Sequence, residues 1–72
     1  MSLDDLGEFI RTERKKRGLV QAELAELAGV SERFVRECEK GKPTAEIGKV
    51  MALFSVLGFD LVPAPHVPEA LR

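Results

Sequence analysis

Apolar residues recur at helical spacing in four stretches of the chain, and residues that cap or break a helix bound nearly every one. The first stretch places Leu6, Phe9 and Ile10 on one stripe. Ser2 or Asp4 caps it, Asp4 and Asp5 suit its electropositive first turn, and Gly18 ends it, with Leu19 turned inward. The second runs from Gln21 to Ala28, with Leu24, Leu27 and Ala28 on one face and the small Ala25 where a crossing helix can come close. Gly29 stops it, because glycine accepts a positive φ without steric cost, and Val30 fills the corner. Ser31 caps a third helix from Glu32 to about Lys40, with Val35 and Cys38 inward, closed by Gly41 and Pro43. Thr44 caps a fourth, running to Leu57.

The fourth stretch is too apolar for one core. Ile47, Val50, Met51, Phe54 and Leu57 form one stripe, while Ala52, Leu53 and Val56 cover much of the remaining face. A helix apolar nearly all round is normally buried all round, and three short helices do not supply that cover. After Gly58 comes "FDLV", residues 59–62, the only strand-like alternation in the chain. A lone strand leaves its backbone groups unpaired. A two-fold dimer in which each strand pairs its symmetry mate solves both problems, with Leu53, Val56, Phe59, Leu61 and Val62 as its interface. The alternative is an extended tail lying on the core. Residues 64–72, proline-rich and without periodicity, read as a flexible tail.

Composition narrows the class. Seventy-two residues make one small domain, and a 44% apolar fraction is too high for disorder. One cysteine, Cys38, and one histidine, His66, leave no intrachain disulfide and no zinc set. The expectation is therefore a cytoplasmic protein without metal or cofactor. No apolar run approaches a membrane span. With so few groups able to act as nucleophile, acid or base, an enzyme is not expected. The net charge of −1 hides an uneven distribution. "RTERKKR" holds five cations against Glu13 alone, and Arg33, Arg36, Lys40 and Lys42 form a second basic set. A charge run of this kind most often marks a solvated helix face.

Two short helices joined by "GVS" at this spacing make a helix-turn-helix pattern. "RTERKKRGL", "QAELAELAGVS" and "ECEKGKPT" together closely resemble the Cro/phage-repressor (XRE) family. The segment "GKPTAEIGKVMALFSVLGFDLVP" looks like the end of HipB-type antitoxins. The likeness implies an all-α fold: a small repressor-like helix-turn-helix domain of four helices at 3–63, with a short C-terminal strand pairing across a homodimer. The motif itself lies at about 21–40 and the dimerisation helix and strand at about 44–62.

In function, the resemblance implies sequence-specific DNA binding at an inverted-repeat operator, and autorepression as a HipB-like antitoxin with a HipA-like kinase toxin as partner. A protein-interaction module that mainly neutralises the toxin, and a stand-alone repressor, are the alternatives. The third helix would enter the major groove with Glu32, Arg33, Phe34, Arg36 and Glu37 at the bases. Arg33 suits guanine and Glu32 suits cytosine. Arg36 either reads a base or grips phosphate, and Phe34 either touches a thymine methyl or packs on the adjacent helix. Gln21, Ser31, Lys40, Lys42 and Thr44 would hold phosphates, with plain solvation the competing reading for the lysines. A structural ion pair would join Arg14 to Glu39. Two positions depart from the family pattern. Val20 stands where a capping Thr, Ser or Asn is usual, at a cost of ~1 kcal/mol, unless contact with the first helix offsets it. Cys38 stands where Ile or Leu is usual and reads as a small buried hydrophobe.

Overall fold

The computed structural model describes residues 2–42 and 46–71. The chain forms α1 (Leu3–Lys16), α2 (Gln21–Ala28), α3 (Glu32–Glu39) and α4 (Ile47–Val56), followed by a 3-10 turn at Glu69–Leu71. Ser2 opens α1 through a reciprocal box. Its Oγ accepts from the Asp5 N–H at 3.1 Å, and its own N–H donates to Asp5 Oδ2 at 3.1 Å. The start of α2 keeps only half of that device. Val20 has no side-chain acceptor, but its N–H donates to Glu23 Oε1 at 2.9 Å. Val20 is 58% exposed, so Glu23, and not packing on α1, offsets the missing cap. Glu46 stands at the N-cap of α4 without a side-chain bond; the expected cap, Thr44, lies outside the described residues, as does Pro43.

Helix α1 packs on α3, and α2 packs on both α3 and α4. Ile10, Leu24, Ala25, Phe34, Val35, Cys38, Val50, Leu53, Phe54 and Leu57 make the core, with Val30 half-buried against it. Gly7 makes the α1–α3 contact possible. A Cβ there would lie 2.8 Å from the Glu39 carbonyl oxygen and closer still to that of Cys38. The two backbones approach as tightly as they do because nothing projects between them.

Three expectations are corrected by this packing. Leu27 is 62% exposed, not inward, since α2 buries the Leu24–Ala25 side and leaves the next turn's leucine in solvent. Leu53 is fully buried inside the single chain, so it belongs to the core and not to an outer interface. The apolar surplus of α4 instead reaches solvent through Ile47 and Met51.

The third correction concerns residues 59–62. Among the described residues there is no β-ladder. Gly58, at φ +87°, turns the chain back toward α1, and the Phe59 N–H donates to the Phe54 carbonyl at 2.8 Å. The Phe59 ring meets Phe9 edge-on at 4.8 Å between centroids, and Phe9 in turn lies 5.4 Å from Phe54. Leu61 also packs against the core. The single chain thus takes the alternative of an extended segment lying on the core, driven by aromatic area that a solvent-exposed strand would leave wet. Of the segment 64–72, expected to be a flexible tail, residues 64–68 carry no regular structure and Glu69–Leu71 form the 3-10 turn.

Candidate nucleic-acid interface

The angle between α2 and α3 is set by two residues. Gly29 ends α2 in the left-handed region at φ 71°. The Val30 N–H then donates to the Ala25 carbonyl at 3.0 Å, closing the last turn. Ser31 starts α3 by accepting the Phe34 N–H on its Oγ at 3.0 Å. Ala25, 4% exposed, lets the helices close on each other.

A buried ion pair locks this unit to α1. Arg14 Nε donates to Glu39 Oε2 at 2.6 Å and Nη2 donates to Oε1 at 2.9 Å. Nη1 donates to the Leu19 carbonyl at 2.8 Å. The partners' side chains are 9% and 4% exposed. The Glu39 hydrogen bonds raise the Arg14 pKa, against the opposing effect of burial. Gln21 Nε2 also donates to Glu39 Oε1, at 3.2 Å. One carboxylate therefore ties the end of α3 to α1 and to the first residue of α2. Gln21, expected to hold phosphate, has one amide hydrogen engaged in this way.

The expected base-reading residues divide between two flanks of α3. Arg33 and Glu37 line a groove with Ser31, Phe34, Lys42, Glu46 and Lys49. Arg36 and Lys40 line a second cleft, with Arg11, Lys15 and Gln21, over the Arg14–Glu39 pair. Glu32, Arg33 and Arg36 are exposed and Glu37 is half-buried. Phe34 is only 9% exposed and belongs to the core, with Lys49 Nζ 5.7 Å from its ring centroid. Of its two alternatives it takes packing, and it leaves the base-reading set because its ring is spent against the protein. Ser31 uses its hydroxyl as a cap, Lys42 is exposed, and Thr44 lies outside the described residues.

Three further cations, Lys49, Arg11 and Lys15, line these two clefts without having been assigned to the site from sequence. Lys49 pairs with Glu46 at 2.6 Å on the surface, and nothing in the sequence pointed to its place beside α3. Arg11 and Lys15 did carry a signal, a four-residue spacing that puts both on one face of α1.

A buried-core helix pair with a glycine turn, an exposed arginine at the head of the second helix and basic flanks define a helix-turn-helix DNA-binding protein. Residues 5–67 match the family model of the helix-turn-helix domain. Over 57 residues, 79% of this chain and 75% of the relative, the sequence is 50% identical to an uncharacterised HTH-type transcriptional regulator, y4mF, of Sinorhizobium fredii. The fold superposes on the crystal structure of the clp gene regulator ClgR from Corynebacterium glutamicum with a TM-score of 0.72 and 28% identity. That match covers 81% of this chain but 62% of ClgR, so the chain spans less than two thirds of that protein's length. The chain belongs to the helix-turn-helix family of the XRE type, and it is a DNA-binding transcriptional regulator.

Proposed function

We propose that the protein is a sequence-specific repressor that binds an inverted-repeat operator as a homodimer and represses its own operon as a HipB-like antitoxin. The observation that carries DNA reading is the exposed Arg33 one residue inside α3, beside the exposed Glu32. A recognition helix reads bases with its N-terminal residues, and an arginine fork there matches guanine O6 and N7.

Selection of bound duplexes from a random pool tests this reading. The selected sites should be inverted repeats, with half-sites roughly one helical turn, or a multiple, apart. Arg33→Ala should then abolish discrimination between the selected and a scrambled duplex. Lys42→Ala should weaken both about equally, because phosphate contacts carry no sequence information. Recovery of no enriched sequence by the folded wild-type protein would sink the reading.

Dimerisation is supported by exposed apolar surface: Val62 is 72% exposed and Phe59 38% exposed, with Val56 half-buried beside them. Backbone pairing of 60–62 between copies would complete the strand that one chain lacks. Sedimentation at micromolar concentration should give a species near twice 8.0 kDa; a clean monomer refutes the two-fold arrangement. The antitoxin role rests on the likeness of residues 41–63 to HipB-type sequences, and co-purification of a HipA-like kinase from the native host tests it.

A further inference from the structure

We infer that the cleft between α1 and α3 grips one sugar-phosphate strand of the DNA, so that Arg11 and Lys15 of the first helix are DNA-contacting residues and Arg36 serves the backbone and not the bases. The inference rests on the DNA-binding reading and deepens it. Five cations line the cleft, Arg11, Arg14, Lys15, Arg36 and Lys40, against the single carboxylate of Glu39. Both oxygens of that carboxylate are already engaged. Arg14 takes both of its oxygens and Gln21 donates to one of them. Glu39 therefore forms a neutralised floor with Arg14 and does not balance the remaining four charges.

None of those four cations forms an ion pair among the described residues. At the C-terminal end of α1 the cations are paired: Lys16 and the C-cap Arg17 both hold Glu13. A chain of net charge −1 thus concentrates uncompensated positive charge in one place. The two rows face each other, each with its members one helical turn apart, Arg11 with Lys15 and Arg36 with Lys40. Crowded like charges repel, so the arrangement costs folding stability and is relieved when an anion enters. The occupant follows from position. Arg36 and Arg33, neighbours one turn apart on the exposed face of α3, line two different clefts at its edges. A helix in the major groove has a backbone wall on either flank, and the cleft on the Arg36 edge carries five cations against one carboxylate, whereas the Arg33 groove carries three against two. A polyanionic strand fits a row of cations better than an isolated ion does.

Salt dependence distinguishes this cleft from a diffuse positive field. The affinity of the full chain for a random-sequence duplex, and for a duplex selected from a pool, is measured across salt concentration by fluorescence anisotropy. Each lost phosphate contact reduces the slope of log K against log salt by about 0.9. The Arg11→Gln/Lys15→Gln variant should flatten that slope by roughly 2 on both duplexes and leave the ratio between them unchanged. Arg36→Gln should flatten it by roughly 1, again with the ratio kept. Lys16→Gln, on the same helix but outside the cleft, should change neither. All four positions are exposed, and circular dichroism verifies folding. An unaltered slope in the double variant overturns the inference while leaving DNA reading intact, and so does an equal flattening by Lys16→Gln. A change of ratio in Arg36→Gln overturns its backbone assignment. Failure of the wild type to bind either duplex at low salt removes the DNA reading itself.

Discussion

Arg14 and Glu39 meet across 25 residues of sequence in a two-point fork, and the third arm of the guanidinium holds the Leu19 carbonyl. Both side chains are buried. Arg14→Ala leaves the carboxylate without its main partner in a low-dielectric site, and a loss of roughly 3–5 kcal/mol is expected. Removing both partners should cost less than the two single losses added together. Urea unfolding of the four proteins in the cycle measures this. Additive losses would mean that the two side chains act independently.

Gly7 and Gly48 form an opposed pair of tests. Gly7→Ala pushes a methyl into the α3 backbone, and overpacking of this kind costs roughly 1–3 kcal/mol despite alanine's better helix propensity. A Cβ at Gly48 meets nothing within 4 Å, so Gly48→Ala should stabilise by up to about 1 kcal/mol. Thermal melts with opposite shifts are the expected result. A stabilising Gly7→Ala would show that α1 and α3 yield easily.

At the head of α2, Val20 is exposed and lacks a capping acceptor. Val20→Asp or Val20→Thr supplies the oxygen that completes the box already half-made by Glu23, with an expected gain of ~1 kcal/mol. Denaturant midpoints check it. A loss in both variants would assign Val20 a contact role that its exposure does not suggest.

Acid should weaken the fold. Hydrogen bonds from Arg17 and then Lys16 hold the Glu13 carboxyl below its ordinary value of 4.5. The backbone and side chain of Ser2 hold Asp5 below its ordinary 3.8. A depressed carboxylate contributes stability above its unfolded pKa and loses it as pH falls through the folded one. The melting temperature should therefore decline on acidification from near pH 4.5 downward, and Glu13→Gln should flatten part of that decline. An identical pH profile in the variant would exclude Glu13 as a source.

Cys38 should be silent in the native state. Its side chain is fully buried, and desolvation, then the charges of Glu39 and Glu37, push the thiol up to about 11. Thiolate is the reactive form. Iodoacetamide at pH 8 should label the folded protein only as fast as it unfolds, with rapid labelling in urea, followed by mass spectrometry. Labelling of the native protein at the rate of a free thiol would contradict the burial.

The motif was legible because its signals are local. Gly29 needs a positive φ and Ser31 needs an N–H to cap, and both needs are visible in a few residues. Errors fell where the answer depends on what lies opposite. Leu27 and Leu24 both satisfy the helical period of α2, and only the placement of α3 and α4 decides which is covered. Leu53 lies on a helix whose faces are almost equally apolar, so its periodicity does not say which side meets the core. Residues 59–62 alternate as a strand does, but a nearby aromatic surface, Phe9 and Phe54, captures Phe59 first. Gly7 gave no signal, since a glycine inside a helix reads as weak propensity until a neighbouring backbone is seen to touch it. The site residues followed the same division. Arg33 and Ser31 are placed by the turn itself, whereas the roles of Phe34 and Arg36 depend on which neighbour flanks each side of α3.

The return of the chain to α1 decides how small an autonomous piece of this protein can be. Arg17 donates to the Leu57 carbonyl and to Glu13, and lies over the Phe59 ring at 5.9 Å. These contacts close a loop of about forty residues that contains the whole helix-turn-helix. A fragment excised at the motif's own borders, 21–40, loses α1, the buried arginine and this closure together. The recognition helix is therefore a property of the complete circuit, whose Leu57 clasp and Phe59 cover both lie beyond the motif itself.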